Sequence, residues 1–387
     1  MIEIIFWVCI FIVFYSYIGY GIIIYAIVKI KNAIIAKPVY SATFEPEVTL
    51  IVPCFNEADY IEEKIQNSLA LNYPKNKLKL IFISDGSSDD THARIKKYVE
   101  VLALHEDKRS GKAAAMNRAM KFVQTPIVVF CDANTTLNAD AIKELVKHYE
   151  NDRVGAVTGE KRIISTNKEG ASTAGEGIYW KYESLLKKLD SDFYSVVGAA
   201  GELMSYRTNL YKELPADSLL DDLMQSMQIA IDGHRVIYEK NAWAAETASA
   251  NVKEELKRKI RISAGAWQSM LRLGKAFNPF HNFNLFFAFI SHRVLRWTLA
   301  PFSLLILIVL NVYLHYALGG LYTYIFLAQI LFYSMALLGW YLENNRIKVK
   351  VLFVPYYFFI MNLCVYLGLF RFVKGKQSVS WERAKRA

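Results

Sequence analysis

Three long apolar runs without a charged side chain constrain this sequence more than any other feature. They cover residues 4–28, 297–342 and 351–370. A helix needs about 20 apolar residues to cross a bilayer. The first and third runs therefore predict one crossing each, and the middle run, divided at Gly319-Gly320, predicts two. A cleaved signal peptide fits poorly, because its apolar region is shorter and follows positive charge, whereas Glu3 precedes the first run. We expect an integral membrane protein.

Basic residues beside the apolar runs predict the orientation, because Lys and Arg collect on the cytoplasmic side. Lys29, Lys31 and Lys37 follow the first run. They place residues 29–296 in the cytoplasm, and the membrane is then expected to be the cell (inner) membrane. Three further crossings would leave the basic residues 371–386 outside, against the same rule. Either one late segment dips without crossing, or residues around 283–290 join an extra crossing, and the sequence leaves both possibilities open.

Five segments follow from this pattern. The long polar part in the middle has room for one large domain, and a stretch rich in Phe after it is typical of a helix lying on a membrane surface. The expected segments are an N-terminal membrane helix with its cytoplasmic flank (1–37), a cytoplasmic catalytic domain (38–275), an interfacial amphipathic segment (276–296), C-terminal membrane helices (297–371) and a basic tail (372–387).

The formal net charge of +10 does not require a nucleic-acid partner. In a membrane protein it is explained by flanks that face anionic lipid and by sites for phosphate-bearing ligands. The four cysteines have no paired spacing and no CxxC motif, so we expect reduced structural thiols rather than a zinc site.

The polar middle part alternates short buried strands with helical patterns. Val48–Val52, Leu78–Ser84 and Ile127–Cys131 are apolar runs of strand length. Strands that alternate with helices predict an α/β fold with a mostly parallel sheet and helices on both faces. Val154–Thr158 is expected to extend that sheet.

Oxygen-bearing side chains follow these strands where ligands bind in open α/β sheets. Asp132 and Asn134 end the third strand, and Mg²⁺ or Mn²⁺ takes oxygen ligands of this kind. Asp85 ends the second strand and can accept hydrogen bonds from a nucleobase or ribose. Gly111-Lys112 before an alanine-rich helix suits a diphosphate. Plain alternatives exist: an Asx turn at Asp132 and helix capping by Asp85 or by the Asp221-Asp222 pair.

Taken together and in this order, the segments resemble the family-two glycosyltransferases. The resemblance is to the membrane-embedded branch that includes cellulose, chitin, hyaluronan and poly-N-acetylglucosamine synthases, and it covers about residues 48–267. It implies a Rossmann-like nucleotide-sugar-binding domain of the GT-A type flanked by transmembrane helices. It also implies a nucleotide-sugar donor, a glycan or lipid-linked acceptor and a divalent metal ion.

The resemblance also implies roles for individual residues. Leu220-Asp221-Asp222 matches the family's T-E-D motif, which makes Asp222 the expected general base. Asp132 and Asn134 stand in place of the family's D-x-D and are the expected metal ligands. The expected nucleotide-binding residues are Pro53, Asn56, Glu57, Asp85, Lys112, Asp132 and Arg261, and the expected acceptor-binding residues are Gly201, Glu202, Asp221 and Trp267.

The sequence departs from the family pattern at two motifs. Asn134 replaces the last aspartate of D-x-D, which keeps an oxygen ligand but removes one charge. In the family's Q-x-x-R-W motif, Arg258 replaces the glutamine and Ile262 the tryptophan, whereas Arg261 is retained. Trp267 offers an aromatic face a little further along the chain. Transfer of a few sugars and processive synthesis therefore both remain open.

The resulting hypothesis is a membrane-bound inverting glycosyltransferase. It would move a sugar from a nucleotide sugar, expected to be a UDP-sugar, to an acceptor hydroxyl with Mg²⁺ or Mn²⁺ as cofactor. The alternative on the same fold is a catalytically inactive membrane scaffold. A transporter is disfavoured, because its spans would carry charged residues and these runs have none.

Overall fold

One eight-stranded sheet organises the middle of the chain. The computed structural model describes residues 1–36, 40–41, 43–164, 171–247, 252–345, 347 and 349–375. The strands are β1 (Val48–Cys54), β2 (Leu78–Asp85), β3 (Val101–Glu106), β4 (Ile127–Cys131), β5 (Thr136–Leu137), β6 (Val154–Ile164), β7 (Leu203–Arg207) and β8 (Arg235–Thr247). Their order across the sheet is β3-β2-β1-β4-β7-β6-β8-β5.

Helices cover both faces of the sheet and extend into the apolar parts of the chain. In chain order they are α1 (Ile2–Phe14), α2 (Tyr20–Ile34), α3 (Ile61–Leu69), α4 (Thr91–Ile95), α5 (Lys112–Met120), α6 (Ala141–Val146), α7 (Ala171–Phe193), α8 (Asp221–Ile231), α9 (Val252–Arg272), α10 (Phe283–Phe289), α11 (Leu295–Trp297), α12 (Leu299–Leu318), α13 (Leu321–Asn344) and α14 (Lys350–Val373). A π-helical turn, Tyr15–Gly19, joins α1 to α2 in one continuous helix.

The strand pairing confirms the predicted α/β class. Strands β1, β2, β3 and β4 pair in parallel with one another, and β6 pairs in parallel with β8. Strand β7 is antiparallel to both β4 and β6, and β5 is antiparallel to β8. The sheet is therefore mixed but mostly parallel. Strands β3 and β8 were not predicted, because only part of each is buried and neither is a continuous apolar run.

Alternate residues of each central strand enter different cores. Leu50 and Val52 of β1 lie in the apolar cluster on one face, with Ile61 and Ile65 of α3. Ile51 lies in the cluster on the other face, with residues of α5 and α8. Because side chains alternate across a strand, a sheet covered on both faces needs apolar residues at every position. This explains the uninterrupted apolar runs in the sequence.

Four helical segments are long and apolar enough to cross a membrane, the number expected from the three runs. They are residues 2–34, 299–318, 321–344 and 351–373. Many of their large apolar side chains are exposed, for example Val309 at 69% and Leu331 at 61%. An apolar surface of this extent requires a lipid or protein environment. The part of the basic tail after residue 375 lies outside the described residues.

A buried ionic network joins α7 to the segment that precedes α12. Glu183 of α7 accepts hydrogen bonds from Arg296 at 2.6 Å and Arg293 at 3.2 Å. Although burial opposes the charged form, Arg293, His292 and Arg296 hold the pKa of Glu183 well below its usual range. Such a pair is costly to break, since loss of one partner leaves a buried charge uncompensated.

Gly86 generates the first testable prediction, because its backbone has a positive φ of +69°. An added Cβ atom would lie 2.5 Å from the backbone nitrogen of Arg109. We expect Gly86→Ala to lower the free energy of unfolding by about 1–3 kcal/mol through strain and the clash. Thermal unfolding would measure this loss. Gly274→Ala is the matched control, since a Cβ there meets nothing within 4 Å. Equal stability of the two variants would contradict the prediction.

Candidate active site

The carboxyl ends of the parallel strands form one edge, and the polar side chains predicted from the sequence collect there. Strands β1 and β2 end side by side, with Cys54, the last residue of β1, paired to Ser84, the last residue but one of β2. Strand β4 lies on the other side of β1, and Asp132 follows its last residue. Ligands of open α/β sheets bind at such an edge.

Lys112 is the residue that connects the carboxylates of this edge. Its ammonium group lies 2.6 Å from Oδ1 of Asp132 and 3.7 Å from Oδ2 of Asp221. It also donates to the backbone carbonyl of Gly201 at 3.3 Å. Burial alone would lower the pKa of Lys112, but Asp132 and Asp221 outweigh burial and raise it. Lys112 is therefore a permanent cation at the point where α5, β4 and α8 meet.

Asp222 lies beside this cation in the first turn of α8. Its Oδ2 atom is close to Gly201, where an added Cβ would lie only 3.0 Å away. Burial and the neighbouring Asp221 raise the pKa of Asp222 to about 7. A carboxylate with such a pKa can accept a proton near neutral pH and release it again. Among the described residues, Oδ1 of Asp222 accepts a hydrogen bond only from the N–H of the next residue, Leu223. The N-cap residue of α8 is Leu220, and its side chain makes no capping hydrogen bond.

Asp85 anchors the loop that precedes Lys112. Its carboxylate accepts the backbone N–H groups of Ser110, at 3.0 Å, and Gly111, at 2.7 Å, and it pairs with Arg118. The side chain is only 6% exposed. Gly86, next to Asp85, allows the backbone of Arg109 to approach closely. Asp85 therefore holds Lys112 in position, and a contact between Asp85 and a nucleotide stays a prediction.

The loop after β1 is tied to the loop after β2. Asn56 has a φ of +53°, and its side-chain oxygen accepts the N–H of Ser88 at 2.8 Å. The backbone N–H of Glu57 donates to Thr91 at 2.8 Å. Pro53 is buried within β1 and pairs with Ile83. The structure thus brings Asn56 and Glu57 to the edge beside Asp85, as the sequence predicted.

Asp132 and Asn134 follow β4 in one tight turn. The carboxylate of Asp132 bonds Lys112, whereas the Thr135 hydroxyl donates to the Asp132 backbone carbonyl at 2.8 Å. This arrangement differs from an Asx turn, which would use the Asp132 side chain. Burial raises the pKa of Asp132, and Lys112 opposes that rise. No group of three or more acidic, His or Cys side chains within the described ranges could hold a metal ion.

A divalent cation would have to share Asp132 with Lys112, and the protein would supply few of its ligands. Mg²⁺ is commonly held by one or two protein oxygens together with substrate phosphates. Asp132 and Asn134 supply one carboxylate and one amide oxygen at the end of a rigid strand. The remaining ligands would have to come from the diphosphate of a bound nucleotide sugar.

Arg261 and Trp267 lie on α9 but in different surroundings. Arg261 is close enough to Asp221, Asp222 and Asp132 for their charges to affect it, although burial lowers its pKa. The structure thus places Arg261 near these carboxylates, and its contact with a diphosphate stays a prediction. Trp267 packs against the second apolar cluster of the sheet. Its predicted contact with the acceptor remains a prediction.

The sequence analysis missed a second charged cluster next to Gly201. Lys161 of β6 pairs with Glu202, at 2.5 Å, and with Glu246. Arg258, noted only as a departure from the family motif, lies 3.9 Å from Glu246 and 3.0 Å from Glu255. The strand predicted from the sequence ended at Thr158, before Lys161. Only the structure shows that β6 continues to Ile164 and therefore includes Lys161.

Comparison with known families and curated proteins gives a consistent result. The family model described as Glycosyl transferase family 2 matches residues 49–214. A poly-beta-1,6-N-acetyl-D-glucosamine synthase of Staphylococcus aureus is 27% identical over 255 residues, which is 63% of this chain and 60% of that protein. A probable glycosyltransferase of Bacillus subtilis is 29% identical over 131 residues, or 32% of this chain and 31% of that protein. The chain therefore spans about 60% of the length of the synthase it matches.

The fold itself also has a solved counterpart. A mannosyltransferase of Pyrobaculum calidifontis, solved in complex with GDP-Man and Mn²⁺, superimposes with a TM-score of 0.73 at 22% identity. The match covers 97% of this chain and 100% of that one. This match confirms the GT-A type of fold. It extends over nearly the whole of this chain, including its apolar helices.

The matched residues 49–214 contain β1, β2, β4 and the Asp85, Lys112 and Asp132 positions that meet at the sheet edge. Asp222 and Arg261 follow this region and complete the site. Residues 49–214 of the chain thus match the glycosyl transferase family 2 model, and the chain is similar to proteins named as glycosyltransferases.

Proposed function

We propose that the protein is a membrane-bound inverting glycosyltransferase. It moves a sugar from a nucleotide sugar, UDP-linked in the first instance, to a hydroxyl group of a glycan or lipid-linked acceptor. The observation that carries this proposal is the convergence of Lys112, Asp132, Asp221 and Asp222 at one edge of the sheet. The synthase name of the Staphylococcus aureus relative supports a role in polysaccharide or glycoconjugate synthesis.

The donor binds across the ends of β1, β2 and β4 in this proposal. Asn56, Glu57 and Asp85 face the nucleoside, and Lys112 and Arg261 face the diphosphate. The bond between the anomeric carbon and the diphosphate oxygen breaks, so negative charge grows on the leaving nucleoside diphosphate. Fixed cations at that point stabilise the transition state more than the ground state. A divalent ion held by Asp132 and Asn134 would add Lewis-acid stabilisation of the same charge when bound.

Asp222 acts as the general base. It accepts the proton of the acceptor hydroxyl while that oxygen forms the new bond to the anomeric carbon from the face opposite the diphosphate. This single displacement inverts the configuration. Burial and Asp221 tune the base, since they bring its pKa to about 7 and general-base catalysis is most efficient near the working pH.

The alternative of an inactive scaffold has less support. A scaffold on this fold would be expected to lose the base or the cation beside it. Both are present, and two adjacent, partly buried carboxylates at Asp221 and Asp222 are an unfavourable arrangement that a purely structural protein has no reason to keep.

Three contacts of α14 support a membrane arrangement with a cytoplasmic catalytic domain and C-terminus. α12 and α13 form an antiparallel hairpin, so the start of α12 and the end of α13 lie on the same side. Leu352, near the start of α14, approaches Gly339 near the end of α13. Tyr366, near the other end, donates to the carbonyl of Pro301 at the start of α12.

The same helix also packs along the catalytic domain. A Cβ added at Gly368 would lie 2.5 Å from Ser263 of α9. Both ends of α14 therefore belong on the side of the catalytic domain, and α14 dips into the membrane without crossing it. This arrangement puts Arg371 and Lys374 in the cytoplasm, in agreement with the positive-inside rule.

Asp222→Asn provides the main test of the function. Nucleoside diphosphate release would be measured with purified protein, a panel of UDP- and GDP-sugars and membranes as the acceptor source. We expect turnover to fall by about 10²–10⁴-fold. In the wild type, kcat should fall as the pH decreases below about 7, because Asp222 becomes protonated. The exposed Asp217→Asn is the control. Near-normal turnover of Asp222→Asn would refute the assignment, and no turnover of any nucleotide sugar by the wild type would refute the function.

Asp132→Ala tests the metal site through binding rather than turnover. Nucleotide-sugar affinity would be measured by calorimetry with and without Mn²⁺. The wild type should bind the nucleotide sugar more tightly with Mn²⁺ than without it. In Asp132→Ala this increase in affinity should be at least tenfold smaller, because the remaining ligand, the amide oxygen of Asn134, carries no charge. Asp152→Ala, on an exposed turn, should behave like the wild type. The same Mn²⁺ effect in both variants would count against Asp132 as a ligand.

Cysteine labelling tests the membrane arrangement. The four native cysteines are buried and free, so single cysteines can be introduced as reporters. With a membrane-impermeant maleimide on intact cells, Leu321→Cys should label and Lys374→Cys should not. Permeabilisation should expose Lys374→Cys together with Asp152→Cys in the catalytic domain. Labelling of Lys374→Cys in intact cells would show that α14 crosses the membrane.

A further inference from the structure

Three lysine side chains surround the indole ring of Trp180 in α7. Their ammonium groups lie 5.1 Å (Lys161), 5.2 Å (Lys259) and 5.8 Å (Lys187) from the ring centroid. All three lysines are buried, with exposed fractions of 4%, 8% and 4% in the same order. These four residues are called the Trp180 cluster below. Cation–π attraction acts within about 6 Å, but three buried cations in one place also repel one another.

The three lysines of the cluster differ in their direct partners. Lys161 pairs with Glu202 and Glu246, and Lys259 lies 3.6 Å from Glu255. For Lys187, no hydrogen bond or ion pair is found among the described residues, and its ammonium group lies against the Trp180 ring. Burial and the nearby Arg293 lower the pKa of Lys187, whereas the charges of Glu202, Glu160 and Glu183 oppose that change without forming an ion pair with it. A buried lysine without a direct partner is unfavourable in the folded protein, and an anion bound beside it would remove this cost.

The position of the cluster relates it to the acceptor. Glu202, the partner of Lys161, directly follows Gly201, which lies against the carboxylate of Asp222. On its other side, α7 packs against α2 and α14. The Trp180 cluster therefore lies between the proposed base and the membrane-proximal helices, whereas Lys112 lies on the donor side.

We propose that the Trp180 cluster binds the phosphate or diphosphate group of a membrane-lipid-linked acceptor, with Lys187 as its principal contact. The inference rests on the proposed function and narrows its acceptor to the lipid-linked class. The phosphate joins the lipid to the acceptor sugar, so binding it here holds that sugar towards Asp222 while the lipid extends along α2 and α14. Phosphate oxygens would supply Lys187 with the charge-assisted hydrogen bonds that it lacks.

An acidic glycan without a lipid is the competing ligand, since a uronate also carries an anion. The packing of α7 against α2, part of the first candidate membrane span, and against α14, which enters the membrane in our proposal, favours the lipid. A soluble acidic glycan would have no reason to bind next to these helices.

The test compares acceptors and variants in the full-length protein reconstituted into neutral lipid nanodiscs. The acceptors are a polyprenyl diphosphate-linked N-acetylglucosamine and a neutral alkyl N-acetylglucosaminide. Lys187→Met removes the charge and keeps the length of the side chain. We expect it to raise KM for the diphosphate-linked acceptor at least tenfold and to leave KM for the neutral glycoside within twofold. Lys187→Arg should restore most of the loss. Lys188→Met is the matched control, because this neighbour on α7 is exposed, and it should resemble the wild type.

A stability measurement separates binding from a structural role. Lys187→Met should unfold at the same or a higher temperature than the wild type, because it removes a buried cation that has no partner. An unfolding midpoint below that of the wild type would show that Lys187 supports the fold and would overturn the proposal.

Further outcomes decide the nature of the ligand. Inorganic diphosphate should compete with the lipid-linked acceptor in the wild type and much less in Lys187→Met. Competition with the nucleotide sugar instead, or an equal rise in the donor KM, would assign Lys187 to the donor and refute the proposal. Another outcome is that the protein uses an acidic oligosaccharide without a lipid as well as it uses the lipid-linked acceptor. If that use also depended on Lys187, the lipid assignment would be refuted. Binding of the lipid-linked acceptor can also be measured without a donor, so the Trp180 cluster is tested even if no sugar is transferred. Failure of the proposed function and failure of this inference can therefore be told apart.

Discussion

Lys112 places one partly buried positive charge between carboxylates that come from different parts of the chain. Asp132 follows β4, Asp221 begins α8, and the carbonyl of Gly201 precedes β7. Without this cation the two carboxylates would be close, partly buried like charges, and the arrangement would be unfavourable. With it, the parallel half of the sheet and the antiparallel strand β7 meet at one point. The remaining polar contacts, including the loop that Asp85 holds, keep Lys112 there.

The site is therefore divided into two electrostatic halves. In the half proposed to bind the donor, Lys112 and Arg261 lie near Asp132 and Asp221. In the half proposed to bind the acceptor, Lys161 lies with Lys187 and Lys259 around Trp180. Asp222 lies between the halves, and its raised pKa follows from burial beside Asp221. A base at this boundary can reach an acceptor hydroxyl on one side and the anomeric carbon on the other, which a direct displacement requires.

The helices outside the sheet are rigidly connected to this site. Glu183 and Arg293 join α7 to the segment before α12, and Arg293 also donates to the carbonyl of Val197. Gly198 must be glycine in this position, since its φ is +150° and an added Cβ would lie 2.6 Å from the Arg293 side chain. The loop that leads to Gly201 is thus packed directly against a membrane-proximal arginine. Movements of the membrane-proximal segment and of the acceptor loop are expected to be coupled for this reason.

Sequence alone determined the apolar runs, the buried strands β1, β2 and β4, and the polar residues that follow them, because these depend on local composition and periodicity. It also identified Asp85, Lys112, Asp132 and Asp222 as separate candidates. Only the tertiary structure decided that Asp85 holds a loop, that Lys161 joins Glu202 to Glu246, and that Lys187 is buried without a partner. The presence of strand β8 and the position of α14 were also decided only by the tertiary structure. Burial and pairing of charges arise from residues far apart in the chain, and no local pattern records which of them will meet.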